Sequence, residues 1–177
     1  MTLLLALLLS FAAPADARAA DDAAIFQTIA DEQGAQANGD SVLLVADRTL
    51  PLCGEPPCLR DRDVVAALQR AAGLRYGAFE LRNRAPMRIA PLHGRVRMES
   101  PEAIARAMEV SGWDELYCLY PQARAVLYFS APAYVDDEAI VYFEEACDLL
   151  CGSGWYVRLS HDAKGWKIVE RVDLWVS

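Results

Sequence analysis

Five cysteines and two histidines are the side chains of this 177-residue sequence best suited to covalent or metal chemistry. Cys53 and Cys58 flank a Gly-Glu-Pro-Pro turn, and Cys147 and Cys151 lie close together before a Gly-Ser-Gly turn. These spacings predict two local disulfides, since turns of this composition bend the chain back on itself. Cys118 is left over, and it is either a buried free thiol or the partner of Cys147 or Cys151.

The remaining candidates for chemistry favour a structural interpretation over catalysis. Gly152-Ser153-Gly154 lacks the full Gly-x-Ser-x-Gly elbow and lies between predicted strands. His93 and His161 both fall in predicted turns. The cysteine spacings are wider than Cys-x-x-Cys, and a structural zinc site needs four ligands. We therefore assign no catalytic residue, no metal and no cofactor, and favour a protein without catalysis over an enzyme.

Two sets of residues are candidates for ligand binding. Residues 75–97 carry six arginines against one acid, Glu80. Guanidinium forks suit carboxylate, phosphate or sulfate groups, so the segment predicts an anionic ligand or an acidic protein partner. The alternative is that these arginines pair with acidic residues of the same chain. The predicted contacts are Arg82, Arg84, Arg88, Arg95 and Arg97, and the second set is Tyr128, Tyr142, Glu144 and Glu170 on the predicted sheet.

The first nineteen residues predict where the protein resides. Residues 3–13 are apolar except for Ser10, and Ala17-Arg18-Ala19 provides the small-x-small pattern of a signal peptide cleaved before Ala20. Ala15-Asp16-Ala17 is a second possible cleavage site. The apolar run is too short to span a bilayer. We expect a leader over residues 1–19, a periplasmic or secreted protein, an oxidising compartment and no stable membrane insertion after cleavage.

Composition predicts one acidic globular domain. Acidic residues outnumber basic residues 25 to 17, which gives a formal net charge of −8. This balance argues against a nucleic-acid binder and against a polybasic membrane-surface protein. Hydrophobic residues make up 54% of the chain, enough to form a core. We expect a single α+β domain over residues 20–177.

Helices are predicted in the first two thirds of the chain. The patterns indicate helices over residues 21–37 and 61–72, and a third that begins at the N-cap Ser100 with Pro101 in its first turn and ends near Gly112. Short strands are predicted over residues 42–46 and 74–82 and around residues 96–98. Residues 84–94 contain two prolines and predict a loop or an irregular edge.

The last third of the sequence predicts a sheet. Four β-rich runs, residues 123–130, 138–146, 155–160 and 166–176, are separated by short turns, which is typical of an antiparallel meander. The fold class is therefore α+β, with N-terminal and central helices packed on a C-terminal four-stranded antiparallel meander. Glu170 falls on the buried side of the last run. We favour a β-bulge or an edge position that turns it out, and the alternative is a polar pocket.

One sequence pattern resembles a known group. Cys147-Asp148-Leu149-Leu150-Cys151-Gly152-Ser153-Gly154 is followed by a strand, by Gly165-Trp166-Lys167-Ile168 and by a terminal Trp175-Val176-Ser177. Over residues 113–177 this resembles small exported bacterial proteins of unknown function with a Cys-Gly-x-Leu-Cys-Gly-x-Gly turn, although Asp148 stands at a usual glycine. The Gly-x-Trp-x-Ile ending also resembles the last strand of NTF2-like domains, which implies a curved sheet around a pocket.

Two functions follow from these observations. The first is an exported binding or interaction module without catalysis, stabilised by disulfides. The alternative is a small-molecule-binding or enzymatic protein with an NTF2-like pocket, in which Tyr128, Tyr142, Glu144 and Glu170 supply the polar groups.

Overall fold

The computed structural model of the chain describes residues 15–35, 39–52, 59, 62–148 and 150–177. The predicted Cys53–Cys58 disulfide and the apolar run of the predicted leader lie outside these residues. The helices are α1 (Ala15–Ala35), α2 (Arg62–Ala72), α3 (Tyr76–Arg82), α4 (Pro101–Ala107) and α5 (Trp113–Leu119). The strands are β1 (Val42–Ala46), β2 (Val96–Glu99), β3 (Ala123–Phe129), β4 (Ala133–Val135), β5 (Glu138–Ala146), β6 (Gly152–Asp162) and β7 (Gly165–Val176).

All these strands belong to one mixed sheet. Its order is β2-β1-β3-β5-β6-β7, and β4 pairs with β5 outside this path. β1 runs parallel to β2 and β3, while the pairs β3–β5, β5–β6 and β6–β7 are antiparallel. The predicted α+β class is confirmed. The sheet is larger than a separate C-terminal meander, because β3 also pairs with β1, and β1 pairs with β2. Both of these parallel strands come from the first hundred residues.

Helices cover both faces of the sheet, and successive residues of the strands pack against helices on opposite faces. In β1, Leu43 and Val45 pack with α1, whereas Leu44 and Ala46 point the other way and pack with α4 and α5. In β5, Tyr142 faces α2 and α3. The chain therefore forms three layers, with α1 on one side and two helix pairs on the other. Burial on both faces explains why the central strands are almost continuously apolar.

The predicted strand over residues 74–82 is wrong. These residues form a 3-10 turn, Gly73–Arg75, followed by α3. Leu74 and Leu81 are exposed, and Tyr76 and Phe79 pack into the core. The two packed positions are three residues apart, which is the spacing of one helix face. The alternation of apolar and polar residues therefore predicted the wrong set of buried side chains for this segment.

The third predicted helix begins as expected and ends early. The Ser100 hydroxyl accepts a hydrogen bond from the amide of Ala103 at 3.1 Å, and Pro101 is the first residue of α4. This confirms the predicted N-cap. However, α4 ends at Ala107 instead of near Gly112. A second short helix, α5, starts at Trp113, directly after Gly112, which adopts a positive φ of 62° that glycine tolerates without strain.

A β-bulge in β7 decides where Glu170 points. Arg158 of β6 pairs with Glu170, but Leu159 pairs with Ile168, so the register shifts by one residue at Val169. The Glu170 side chain remains 46% exposed and forms an ion pair with Arg158 at 2.8 Å. The predicted bulge is confirmed, and Glu170 does not point into a pocket.

Within the described part of the chain, no helix is both long enough and apolar enough to cross a membrane.

Candidate functional site

Three of the predicted sheet residues converge on one face of the sheet. Tyr128 of β3 is the cross-strand partner of Glu144 in β5, and Tyr142 lies two residues before Glu144 on the same face. The Tyr142 hydroxyl donates a hydrogen bond to Glu144 Oε2 at 2.8 Å, and the Trp175 indole nitrogen donates to the Tyr142 hydroxyl at 2.9 Å. We call Tyr128, Tyr142, Glu144 and Trp175 the sheet-face cluster. Tyr142 is fully buried, and the other three retain partial exposure.

Burial controls the protonation of the sheet-face cluster. Loss of solvent raises the pKa of Glu144, and the hydrogen bond from Tyr142 opposes this by stabilising the carboxylate. Burial, together with the neighbouring Glu144 charge, raises the pKa of Tyr128 to about 12. The cluster thus places a carboxyl that holds its proton more tightly than usual beside a neutral phenol. Such a pair can donate and accept hydrogen bonds.

Two glycines make room for the Trp175 ring. A Cβ atom at Gly154 would lie 2.0 Å from the Trp175 indole nitrogen, and one at Gly152 would lie 2.9 Å from the same ring. The amide of Ser177 donates to the Gly152 carbonyl at 2.8 Å, and the Gly152 amide donates to the Ser177 hydroxyl at 2.9 Å. The Gly-x-Gly and Trp-x-Ser patterns of the sequence are therefore one packing unit.

The arginine segment is divided among separate internal contacts. Arg82 pairs with Asp22 of α1 at 2.7 Å, and Arg97 pairs with Glu99 at 3.0 Å and lies over the Tyr120 ring at 4.5 Å. Arg75 pairs with Glu138 at 2.8 Å. These contacts correspond to the alternative interpretation, in which the arginines neutralise acids of the same chain.

The other predicted arginines lie apart from one another. Arg84 lines a groove of about 450 Å³ between α2 and α3, together with Arg62, Tyr76 and Glu80. Arg95 lines a depression beside Gly34 at the end of α1. Arg88 is exposed, and its backbone bridges to that of Arg48. The structure does not bring the five predicted arginines into one anion site.

Asp22 connects α1 to the rest of the fold. Its residue is 4% exposed, and its carboxylate accepts hydrogen bonds from the Tyr134 hydroxyl and from Arg82, both at 2.7 Å. Arg82 also donates to the Pro132 carbonyl at 3.3 Å. Burial raises the pKa of Asp22, and the hydrogen bond from Tyr134 and the charge of Arg82 lower it. Sequence reasoning missed Asp22, because nothing in the pattern distinguishes it from Asp21.

A cleft opens beside this buried carboxylate. Its volume is about 530 Å³, and residues of α1, of the β4–β5 turn and of the β6–β7 hairpin line it. We call it the α1 cleft. Its aromatic side consists of Trp166, with Tyr134 at 6.0 Å and His161 at 5.0 Å between ring centroids. The full lining comprises Arg18, Asp21, Tyr134, Asp136, Asp137, His161 and Trp166.

Two acidic residues of the α1 cleft have no ion-pair partner among the described residues. The Trp166 indole nitrogen donates to Asp21 Oδ1 at 3.1 Å. Among the described residues, Asp136 and Asp137 form no salt bridge. The sequence showed Asp136-Asp137-Glu138 as an acidic turn, but it could not show that this turn meets α1 and the hairpin.

The cysteines follow one prediction and contradict another. Cys147 and Cys151 form a disulfide with their Cα atoms 5.2 Å apart, which confirms that predicted pair. Cys118 is free and exposed on α5. It is therefore neither a buried thiol nor a partner of Cys147 or Cys151. The acids, histidines and cysteines of the described chain include no group of three placed to hold a metal ion.

Comparison with known proteins adds no assignment to this geometry: no family model, no curated protein and no solved structure matches the chain.

Proposed function

We propose that this is an exported binding protein, processed by removal of its leader before Ala20, and that its ligand occupies the α1 cleft. The cleft carries the proposal, because it is a concave opening of about 530 Å³ where aromatic rings and unpaired carboxylates converge. Binding sites commonly combine a ring surface with a few polar groups that fix orientation. Leader removal would give a chain over residues 20–177 in a periplasmic or secreted location.

The exposure pattern of α1 supports this processing. Side chains at residues 17–20 are exposed, and the first deeply buried side chain after them is Asp22. Cleavage before Ala20 would therefore keep the contacts of Asp22 with Arg82 and Tyr134. The Cys147–Cys151 disulfide is the kind of crosslink that an oxidising compartment maintains.

A second candidate function rests on the sheet-face cluster. Tyr128, Tyr142 and Glu144 share one face of β3 and β5, as a pocket protein of NTF2-like shape requires. In this alternative, the raised pKa of Glu144 would let a protonated carboxyl meet a ligand or a reacting group. Helix pairs on that face would take the place of the helices that close an NTF2-like sheet.

One experiment separates the two candidates. Four tryptophans give four indole N–H signals in a ¹⁵N spectrum, and Trp→Phe variants assign them. A ligand in the α1 cleft shifts the Trp166 signal, whereas a ligand at the sheet-face cluster shifts the Trp175 signal. Trp155 serves as the reference, because it belongs to neither site: its ring stacks on Phe143 and lies under the Arg171 guanidinium.

We expect a library of small charged and neutral compounds to yield binders that shift Trp166. Binders that shift only Trp175 would replace the first candidate with the second. Reproducible turnover of any substrate that Glu144→Gln abolishes would overturn the non-catalytic assignment. A library that leaves all four signals unchanged would overturn both candidates.

A further inference from the structure

The α1 cleft has an excess of negative charge at its surface. Asp21, Asp136 and Asp137 line it, and among its lining residues in the described chain Arg18 is the one arginine or lysine. Asp21 already accepts the Trp166 indole hydrogen, so its charge lies against the edge of that ring. A ligand entering here meets carboxylates on one side and aromatic rings on the other.

This combination selects a class of ligand. The faces of Trp and Tyr rings attract cations through the ring quadrupole, and carboxylates accept hydrogen bonds from guanidinium and ammonium groups. Trp166 and Tyr134 supply the rings, and their centroids are 6.0 Å apart in an edge-on arrangement. An organic cation, with a charge spread over several atoms and an apolar stem, satisfies both surfaces.

Arg18 is itself a cation of this class. Its guanidinium belongs to the leader, since residue 18 precedes the predicted cleavage point at Ala20. The full chain therefore has Arg18 among the lining residues of the cleft, and the processed chain has the new α-ammonium of Ala20 next to Asp21 in its place. The remaining lining keeps all three carboxylates and all three rings.

We propose that the α1 cleft is a binding site for organic cations, above all guanidinium-bearing ligands, and that Arg18 competes for it in the full chain. The site in this proposal is the one proposed above as the ligand site. The ligand class and the competition by Arg18 are new. Replacing Arg18 by alanine raises the affinity because it removes a tethered competitor without creating a new N-terminal charge.

The test compares two probes that differ in charge. n-Butylguanidinium carries the cation, and n-butylurea is its neutral analogue of similar shape. Calorimetry at low salt measures the binding of each probe to three proteins: the full chain, the full chain with Arg18→Ala, and the processed chain recovered after export. We expect the guanidinium to bind the Arg18→Ala chain at least about threefold more tightly than the full chain, and to bind the processed chain measurably. The urea should bind none of them measurably.

Matched variants locate the site. Asp137→Asn removes a cleft carboxylate, and it should weaken guanidinium binding about threefold. Asp173→Asn removes an exposed carboxylate elsewhere on β7, and it should leave the binding unchanged. Raising the salt concentration should weaken binding to every form, because it screens the carboxylates.

Three results would overturn the proposal. Urea binding as tight as guanidinium binding would remove the role of charge. Equal losses from Asp137→Asn and Asp173→Asn would remove the role of the cleft. Equal affinity in the full chain and its Arg18→Ala variant would remove the competition. The N-terminal mass of the recovered protein tests export and processing separately. The comparison of the full chain with its Arg18→Ala variant does not depend on processing.

Discussion

Gly154 and Trp175 are cross-strand partners in β6 and β7, and the indole ring occupies the space where a side chain at position 154 would begin. The indole N–H of Trp175 donates a hydrogen bond to the Tyr142 hydroxyl, which in turn donates one to the Glu144 carboxylate. A residue without a side chain thus allows a chain of hydrogen bonds to form across three strands.

Gly154→Ala should destabilise the protein strongly. The new Cβ would lie 2.0 Å from the indole nitrogen of Trp175, so the ring must move and lose its bond to Tyr142. We expect a loss of about 3 kcal/mol in the free energy of unfolding, measured by urea denaturation. Gly77→Ala is the control: it meets no atom within 4 Å in α3 and should stabilise by about 0.5 kcal/mol. Equal effects of the two substitutions would contradict this packing.

Removing the buried carboxylate of Asp22 should loosen α1. Asp22→Ala leaves the Tyr134 hydroxyl and the Arg82 guanidinium without their shared acceptor, and we expect a loss of about 2 kcal/mol in unfolding free energy. Tyr134→Phe removes one of the two bonds and should cost about 1 kcal/mol. Asp31→Ala on the exposed side of the same helix should change stability by less than about 0.5 kcal/mol. A loss of similar size in the Asp31 variant would show that the effect does not depend on the contacts of Asp22 with Tyr134 and Arg82.

Glu144→Gln should change how stability depends on pH. Burial raises the pKa of Glu144 above its ordinary 4.5, so the folded state binds the proton more tightly than the unfolded state does. The native carboxyl therefore loses stabilisation as the pH rises from 4.5 through its folded pKa, whereas the glutamine variant has no such loss. The stability of the variant relative to the native protein should increase across that window and then stay constant. Chemical denaturation at pH 4, 6 and 8 measures it, and a difference independent of pH would refute the assignment.

The thiols should differ in reactivity. Cys118 is exposed and free, so iodoacetamide should label it in the native protein without reductant, while Cys147 and Cys151 remain unlabelled. Replacing both Cys147 and Cys151 with serine should cost about 2 kcal/mol, because the short crosslink no longer restricts the unfolded chain. Peptide mapping reads the labels. Labelled Cys147 together with protected Cys118 would contradict the disulfide.

Several local patterns in the sequence predicted local structure, although the alternation over residues 74–82 did not. Ser100 and Pro101 mark the start of α4, and the short interval between Cys147 and Cys151 predicts their disulfide. Each of these features depends on neighbours a few residues away. The bulge that turns Glu170 outward was also predictable, because one acid interrupts an otherwise regular apolar line.

Pairings over long distances were not predictable in the same way. β2 has four residues, and its parallel partner β1 lies about fifty residues earlier, so nothing local indicates the pairing. Asp22 is buried only because Arg82 and Tyr134 arrive from α3 and β4. The α1 cleft likewise brings together segments that are far apart in the chain. In the arginine segment the opposite occurs: arginines that lie close together in the sequence make contacts in different parts of the structure.

The N-terminus of the protein recovered outside the cytosol tests the central proposal of an exported, processed chain. Intact-mass measurement and non-reducing peptide mapping should find a chain that begins at Ala20. It should contain the Cys147–Cys151 crosslink and also the predicted Cys53–Cys58 crosslink. Recovery from the cytosol alone of a chain that starts at Met1, with every thiol open to alkylation, would contradict it.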